Sequence, residues 1–265
     1  MTNRLAGLGR SIDTSLTLAR FEGRKLRRDP TELFTRAVQP VLWLLLFGQV
    51  LARNRSIPTE GQTSYLDFLA PGILAQSVLF VAIFYGVAVI WERDLGLLPK
   101  YLATPTPRAT LVLGKAMSAA VRSFSQVVII YLLCALLRVH LSWNPLRLAG
   151  VLLFVFTGAA LFASLSMVAA VLVKTRERFL GIGQVLTLPL FFVSNAIYPV
   201  AAMPHWMQVA ARVNPLTYEV DALRGLMLGG GSTLHPLWFD YAVLLVVLAF
   251  LVALGARLYP RIVNA

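Results

Sequence analysis

Three stretches of this chain contain no Asp, Glu, Lys or Arg: Phe68 to Trp91, Leu148 to Val173 and Phe179 to Ala211. Each is long enough to cross the ~30 Å hydrocarbon layer of a bilayer as a helix, which takes ~20 apolar residues. A helix also satisfies its own backbone where no water is present. A membrane barrel is excluded, because its strands alternate in short segments and these runs are continuous. Three weaker blocks complete the set: Leu33 to Ala52 (interrupted by Arg36), Ala116 to Leu137 (by Arg122) and Pro236 to Ala256 (by Asp240). Hydrophobic residues make up 58% of the 265 and charged residues 14%, against about 25% charged in soluble domains. One soluble core of this size could not hide that much apolar surface. The expectation is an all-α polytopic membrane protein, a single transmembrane domain with six spans over residues 1–265.

Net charge is +12, yet its placement argues for orientation rather than nucleic acid. With six spans and the N-terminus inside, eighteen Lys and Arg fall on the cytoplasmic side and six on the other. That is the positive-inside bias, and it sets both termini in the cytoplasm. The expected surroundings are a lipid bilayer, with attraction to anionic lipid. Residues 1–32 are charged and lack an apolar core before a cleavage site, so no secretory signal is expected.

Residues 12–28 carry an apolar stripe of Ile12, Leu16, Ala19, Gly23 and Leu26 at helical spacing. Arg20, Glu22, Arg24, Arg27 and Arg28 accompany it, which suits an amphipathic helix on the membrane surface; a plain positive-inside anchor is the other reading. Asp29-Pro30-Thr31-Glu32 resembles a capping box and starts the next helix. The second span begins near Asp67, and Pro71-Gly72 predicts a kink. Residues 92–115 form the longest interior cytoplasmic connection. In the fourth span, Ala159 with Ala163, Ala160 with Ser164, and Ser166 with Ala170 sit one turn apart, a face for close helix contact in lipid. From Ser194 to Gly231, Pro199, Pro204 and Pro215 break an uncharged run, and Glu219, Asp221 and Arg224 follow. This reads as an external re-entrant segment, a half-span or short helical pair; an ordinary amphipathic loop is the alternative. An Asp221–Arg224 pair would keep its charges matched there.

Several chemistries have no signature. His140, His205 and His235 fit no metal spacing, and Cys134 stands alone in an apolar run. Gly114-Lys115 lacks the earlier Gly and the following Ser or Thr of a phosphate loop, since positions 109 and 116 are Ala. Neither a catalytic residue nor a metal or other cofactor is expected in the chain itself. Every Asp and Glu falls near span ends or in loops, unlike the midplane carboxylates of ion-coupled carriers. The energy source is expected outside the chain.

Four segments in order then resemble one family. They are Arg28-Asp29-Pro30 with Gln39-Pro40-Val41-Leu42-Trp43; Tyr65-Leu66-Asp67-Phe68-Leu69-Ala70-Pro71-Gly72; Trp91-Glu92-Arg93-Asp94 through Ala103-Thr104-Pro105 to Leu113-Gly114-Lys115; and Asn214-Pro215-Leu216-Thr217-Tyr218 with Asp221-Ala222-Leu223-Arg224. Together they resemble the type 2 ATP-binding-cassette exporter permeases, which include daunorubicin-resistance, nodulation and polysaccharide export permeases. The resemblance implies a bacterial inner-membrane (plasma-membrane) subunit that dimerises and binds separate ATPase subunits, which hold the ATP and Mg. It implies a coupling helix bearing Glu92, Arg93, Asp94, Lys100, Tyr101 and Arg108, flanked by the basic surface helix. Leu97 and Pro99 depart from the family pattern. The external segment would use Asn214, Pro215, Tyr218, Asp221 and Arg224. Phe84, Tyr85, Phe191 and Phe192 are candidates for an apolar path suited to an amphiphilic drug, lipid or glycolipid; they equally suit packing or lipid contact. A structural or assembly subunit without cargo is the competing reading.

Overall fold

The computed structural model describes residues 37–50, 64–96, 108–171, 173, 175–228 and 233–263. Eight helices follow one another there: α1 (Ala37–Gly48), α2 (Tyr65–Asp94), α3 (Arg108–Leu136), α4 (Pro145–Val171), α5 (Arg176–Phe192), α6 (His205–Val213), α7 (Pro215–Met227) and α8 (Leu237–Val263). No named strand occurs among the described residues; Leu141 and Leu228 form an isolated bridge.

Four of these, α2, α3, α4 and α8, are long and apolar enough to cross a membrane. At 1.5 Å per residue, the 30 residues of α2 reach about 45 Å. The described helices at the other two expected spans are shorter. α1 is a short apolar helix whose second half, Trp43–Gly48, is wound as a π-helix. α5 has 17 residues. The uncharged run around it continues to Ala211, but the helix ends at Phe192. There the Ser194 hydroxyl donates to the Phe191 carbonyl at 2.7 Å, and Val193 N–H returns to Pro189 at 2.9 Å. A capping side chain, not a charge, stops this helix.

α4 is the central element, packed against α2, α3, α7 and α8. Small side chains make this possible. Ala159, Ala160, Ala163, Ser164, Ser166 and Ala170 are all buried, as their one-turn spacing predicts. Ser166 ties α4 to α2: its hydroxyl accepts from Gly86 N–H at 3.0 Å and donates to the Ile83 carbonyl. α8 lies at the periphery, with Trp238, Val246 and Phe250 exposed; Val128, Leu132 and Leu136 of α3 are exposed as well. Such faces suit hydrocarbon rather than water.

Local caps decide where α2 begins. Ser64 accepts from Leu66 N–H at 3.2 Å, and one helix then runs through Pro71 to Asp94. Arg138 takes a left-handed conformation (φ 58°) after α3. The chain turns there, so that Ser142 N–H reaches the Met227 carbonyl at 2.7 Å. That docks the α3–α4 connection onto the end of α7.

Candidate functional site

Charged and polar side chains gather at two opposite ends of the bundle, with a cavity along α2 besides. The first end is where α2 stops. Glu92, Arg93 and Asp94 are its last residues rather than part of a loop, and Arg108 opens α3, so the expected 92–115 connection is helical at both edges. Glu92 pairs with Lys115 of α3. Arg93 donates to the Val173 carbonyl at 3.1 Å, and Asp94 bridges to Arg176 of α5 at 3.1 Å. The Arg176 guanidinium also lies 3.9 Å from the centre of the Trp91 ring. Three helices are therefore linked at this end. Lys100 and Tyr101 lie outside the described residues. So do Arg20, Glu22, Arg24, Arg27 and Arg28 of the expected surface helix.

The opposite end is built around α7. Asn214 caps it, accepting from Leu216 N–H at 3.0 Å while its amide donates to the Leu190 carbonyl at 2.7 Å. Pro215 occupies the first helical position, where no N–H is missed. Tyr218 donates to the Arg212 carbonyl at 2.6 Å. The segment is a helical pair, α6 and α7, and α7 is no exposed loop: Glu219, Asp221 and Arg224 are all buried.

The expected Asp221–Arg224 pair is not formed, because the two side chains leave the helix in different directions. Asp221 accepts from the N–H groups of Leu234 (2.8 Å) and His235 (3.0 Å). Arg224 donates to the carbonyls of Asn195 (2.8 Å) and Phe68 (3.4 Å), with its guanidinium 3.9 Å from the centre of the Phe68 ring. Spacing of three on a helix permits contact; here stronger tertiary partners win.

Glu219 was a charge in the motif that sequence spacing gave no role. It is completely buried, and neither carboxyl oxygen meets a hydrogen-bond partner among the described residues. It presses on Gly158 of α4, where any Cβ would strike the carboxyl. Asp67, in the first turn of α2, is buried too and accepts from His140 N–H at 3.0 Å. Asp67 stands at a helix end, as expected, but Glu219 does not: it lies in the middle of α7, against Gly158 halfway along α4. Their burial is not what loop placement suggests.

The cavity, of about 340 Å³, opens between α1, α2 and α3. Gln39, Phe80, Phe84, Tyr85, Arg122 and Gln126 border it. Arg122 sits 5.7 Å from the centre of the Tyr85 ring, and Phe80 and Phe84 stack at 5.9 Å. Phe84 and Tyr85 are thus brought to one place. Phe191 and Phe192 are not: they contact Trp43 of α1, with Phe191 buried and Phe192 exposed. Arg122, the charge interrupting an apolar run, was the available signal for this cavity, since charge within a span marks function by default.

Comparison with known proteins returns consistent relatives. The profile of the family described as ABC-2 type transporter matches residues 15–228. The daunorubicin resistance ABC transporter permease protein DrrB1 of Streptomyces coeruleorubidus is 27% identical over 237 residues, 88% of this chain and 80% of that one. Nodulation protein J of Rhizobium leguminosarum bv. trifolii is 30% identical over 200 residues, 75% of this chain and 72% of its own.

Proposed function

This chain belongs to the ABC-2 type transporter family as a membrane-spanning permease subunit, and from that premise we propose that it exports an amphiphilic or hydrophobic cargo. The ATP, with its Mg, is hydrolysed on separate cytoplasmic subunits that dock at the α2–α3 end. A second copy of the chain completes the path. In this reading α1 and α5 join the four long helices as spans, both termini are cytoplasmic, and α6 and α7 re-enter from outside in the plasma membrane of a bacterium.

The charged end carries the proposal. Coupling needs a rigid element whose two positions a partner can favour differently. The Glu92–Lys115 and Asp94–Arg176 pairs join α2 to α3 and α5, so a push delivered there would move three helices together. The cavity supports the class of cargo: its aromatic walls suit an apolar body, and Arg122 with two glutamines suits a polar head.

Reversing both acids, Glu92→Lys with Asp94→Lys, is expected to lower ATPase co-purification and permease-stimulated turnover by about tenfold, within the usual range of coupling energies. The Glu92→Lys/Lys115→Glu exchange restores the internal pair but not the face offered to a partner. Rescue of turnover by that exchange would assign the charges to internal packing alone. Wild-type turnover in the double reversal would remove the lever.

Topology is checked separately. In a chain lacking Cys134, a cysteine at Ser142 is expected to react with a membrane-impermeant maleimide added outside intact cells. Reaction only after the cytoplasmic face is exposed would reverse the proposed orientation.

A further inference from the structure

We propose that Asp221, His235 and Asp240 form a binding site for a divalent transition metal, best suited to Zn²⁺, that clasps α7 to the first turn of α8. One donor atom from each of the three residues lies within 4.8 Å of the others. His235 Nδ1 is 3.8 Å from Asp221 Oδ2 and 3.6 Å from Asp240 Oδ1. Tetrahedral zinc with bonds of ~2.0–2.1 Å spaces its donors by about 3.4 Å, so the nitrogen needs only small shifts to meet it.

What points to a ligand is the state of Asp240. Its side chain is fully buried, and neither carboxylate oxygen has a hydrogen-bond partner among the described residues. The Nδ1 atom of His235 is likewise unsatisfied. A buried carboxylate without a partner is costly, and the neighbouring Asp221 adds like charge. A shared proton would relieve the two carboxylates but would leave the ring nitrogen unused. A cation takes all three donors.

The surroundings fit a built site. Asp221 is held in place by the backbone N–H groups of Leu234 and His235, the outer hydrogen bonds that orient metal-ligating carboxylates. The His235 ring stacks on Phe239 at 5.2 Å and lies against Tyr218 at 5.5 Å. A cavity of about 330 Å³, bordered by Arg212, Tyr218, His235 and Phe239, gives access from one side. Three protein donors leave a fourth position for water or a small anion, as in open zinc sites.

The test uses the full chain, purified in detergent and stripped with chelator, then titrated with Co²⁺ as a spectroscopic probe. One Co²⁺ per chain with visible ligand-field bands is expected, displaced by Zn²⁺ and accompanied by a raised thermal midpoint. Asp240→Asn and His235→Gln are each expected to weaken binding about tenfold or more. His235 is partly exposed, so His235→Gln is the variant expected to stay monodisperse. Absence of the bands in the wild type, or equal binding in His235→Gln, overturns the site. A wild type that gains no thermal stability from Zn²⁺ while Asp240→Asn is stabilised without metal assigns the carboxylates to a shared proton and overturns it too.

Discussion

Gly72→Val is expected to lose about 3 kcal/mol of stability, the upper end of overpacking costs, and to reduce the yield of monodisperse protein sharply. A Cβ at Gly72 would meet the backbone of Ala196, with its Cα at 2.8 Å and its carbonyl carbon at 2.9 Å. Backbone cannot rotate away as a side chain can. The turn that carries Ala196 is held from three sides. Tyr65 donates to the Ile197 carbonyl at 2.8 Å, Ala196 N–H donates to Ser194 Oγ at 3.3 Å, and Arg224 donates to the Asn195 carbonyl at 2.8 Å. The close approach of α2 to this turn therefore requires glycine. Gly114 of α3 supplies the comparison, because a Cβ there meets nothing within 4 Å. Gly114→Ala should be neutral or stabilising by up to about 1 kcal/mol through helix propensity. Thermal unfolding of both variants in detergent measures the difference, and equal midpoints would refute the packing at Gly72.

Arg224→Ala is expected to cost about 2–4 kcal/mol, from the cavity it leaves and the hydrogen bonds it removes. The side chain is among the largest fully buried ones. It joins α7 to the carbonyls of Phe68 and Asn195 and lies over the Phe68 ring. Deleting it leaves a cavity and unpaired carbonyl groups together. Arg224→Lys should recover part of the loss, since an ammonium keeps the charge but lacks the planar fork. Asp221→Ala releases a different set of groups, the N–H donors of Leu234 and His235. The double alanine variant should consequently be less stable than either single one. Two residues that neutralised each other would give the reverse, a double variant milder than the singles, and that outcome in a thermal double-mutant cycle would restore the direct ion pair.

The helical membrane class was legible because the bilayer imposes length and apolarity on every span, and both are one-dimensional quantities. Phe68 to Trp91 falls inside α2, and Leu148 to Val173 fills α4 from its first turn to its end at Val171, for that reason. The buried face of α4 was legible too, since small residues one turn apart share a face whatever packs on it. The cap at Asn214 and Pro215 was local in the same sense. The end of α5 was harder to see. Hydropathy continues past Phe192, whereas the helix stops on a single hydroxyl contact from Ser194.

The sequence by itself determined the solvent of this protein, its helical class and the order of its helices, because these follow from near-neighbour residues and the energy of putting charge in hydrocarbon. The tertiary structure decided the partners of the buried charged groups. Asp221 and Arg224 are three residues apart and face different neighbours, while Asp221 and Asp240 are nineteen apart and meet at His235. Gln39, Tyr85 and Arg122 come from three helices to border one cavity. A buried polar side chain goes to whatever relieves its lost hydration best. That partner is set by how the helices pack, and no spacing along the chain encodes it.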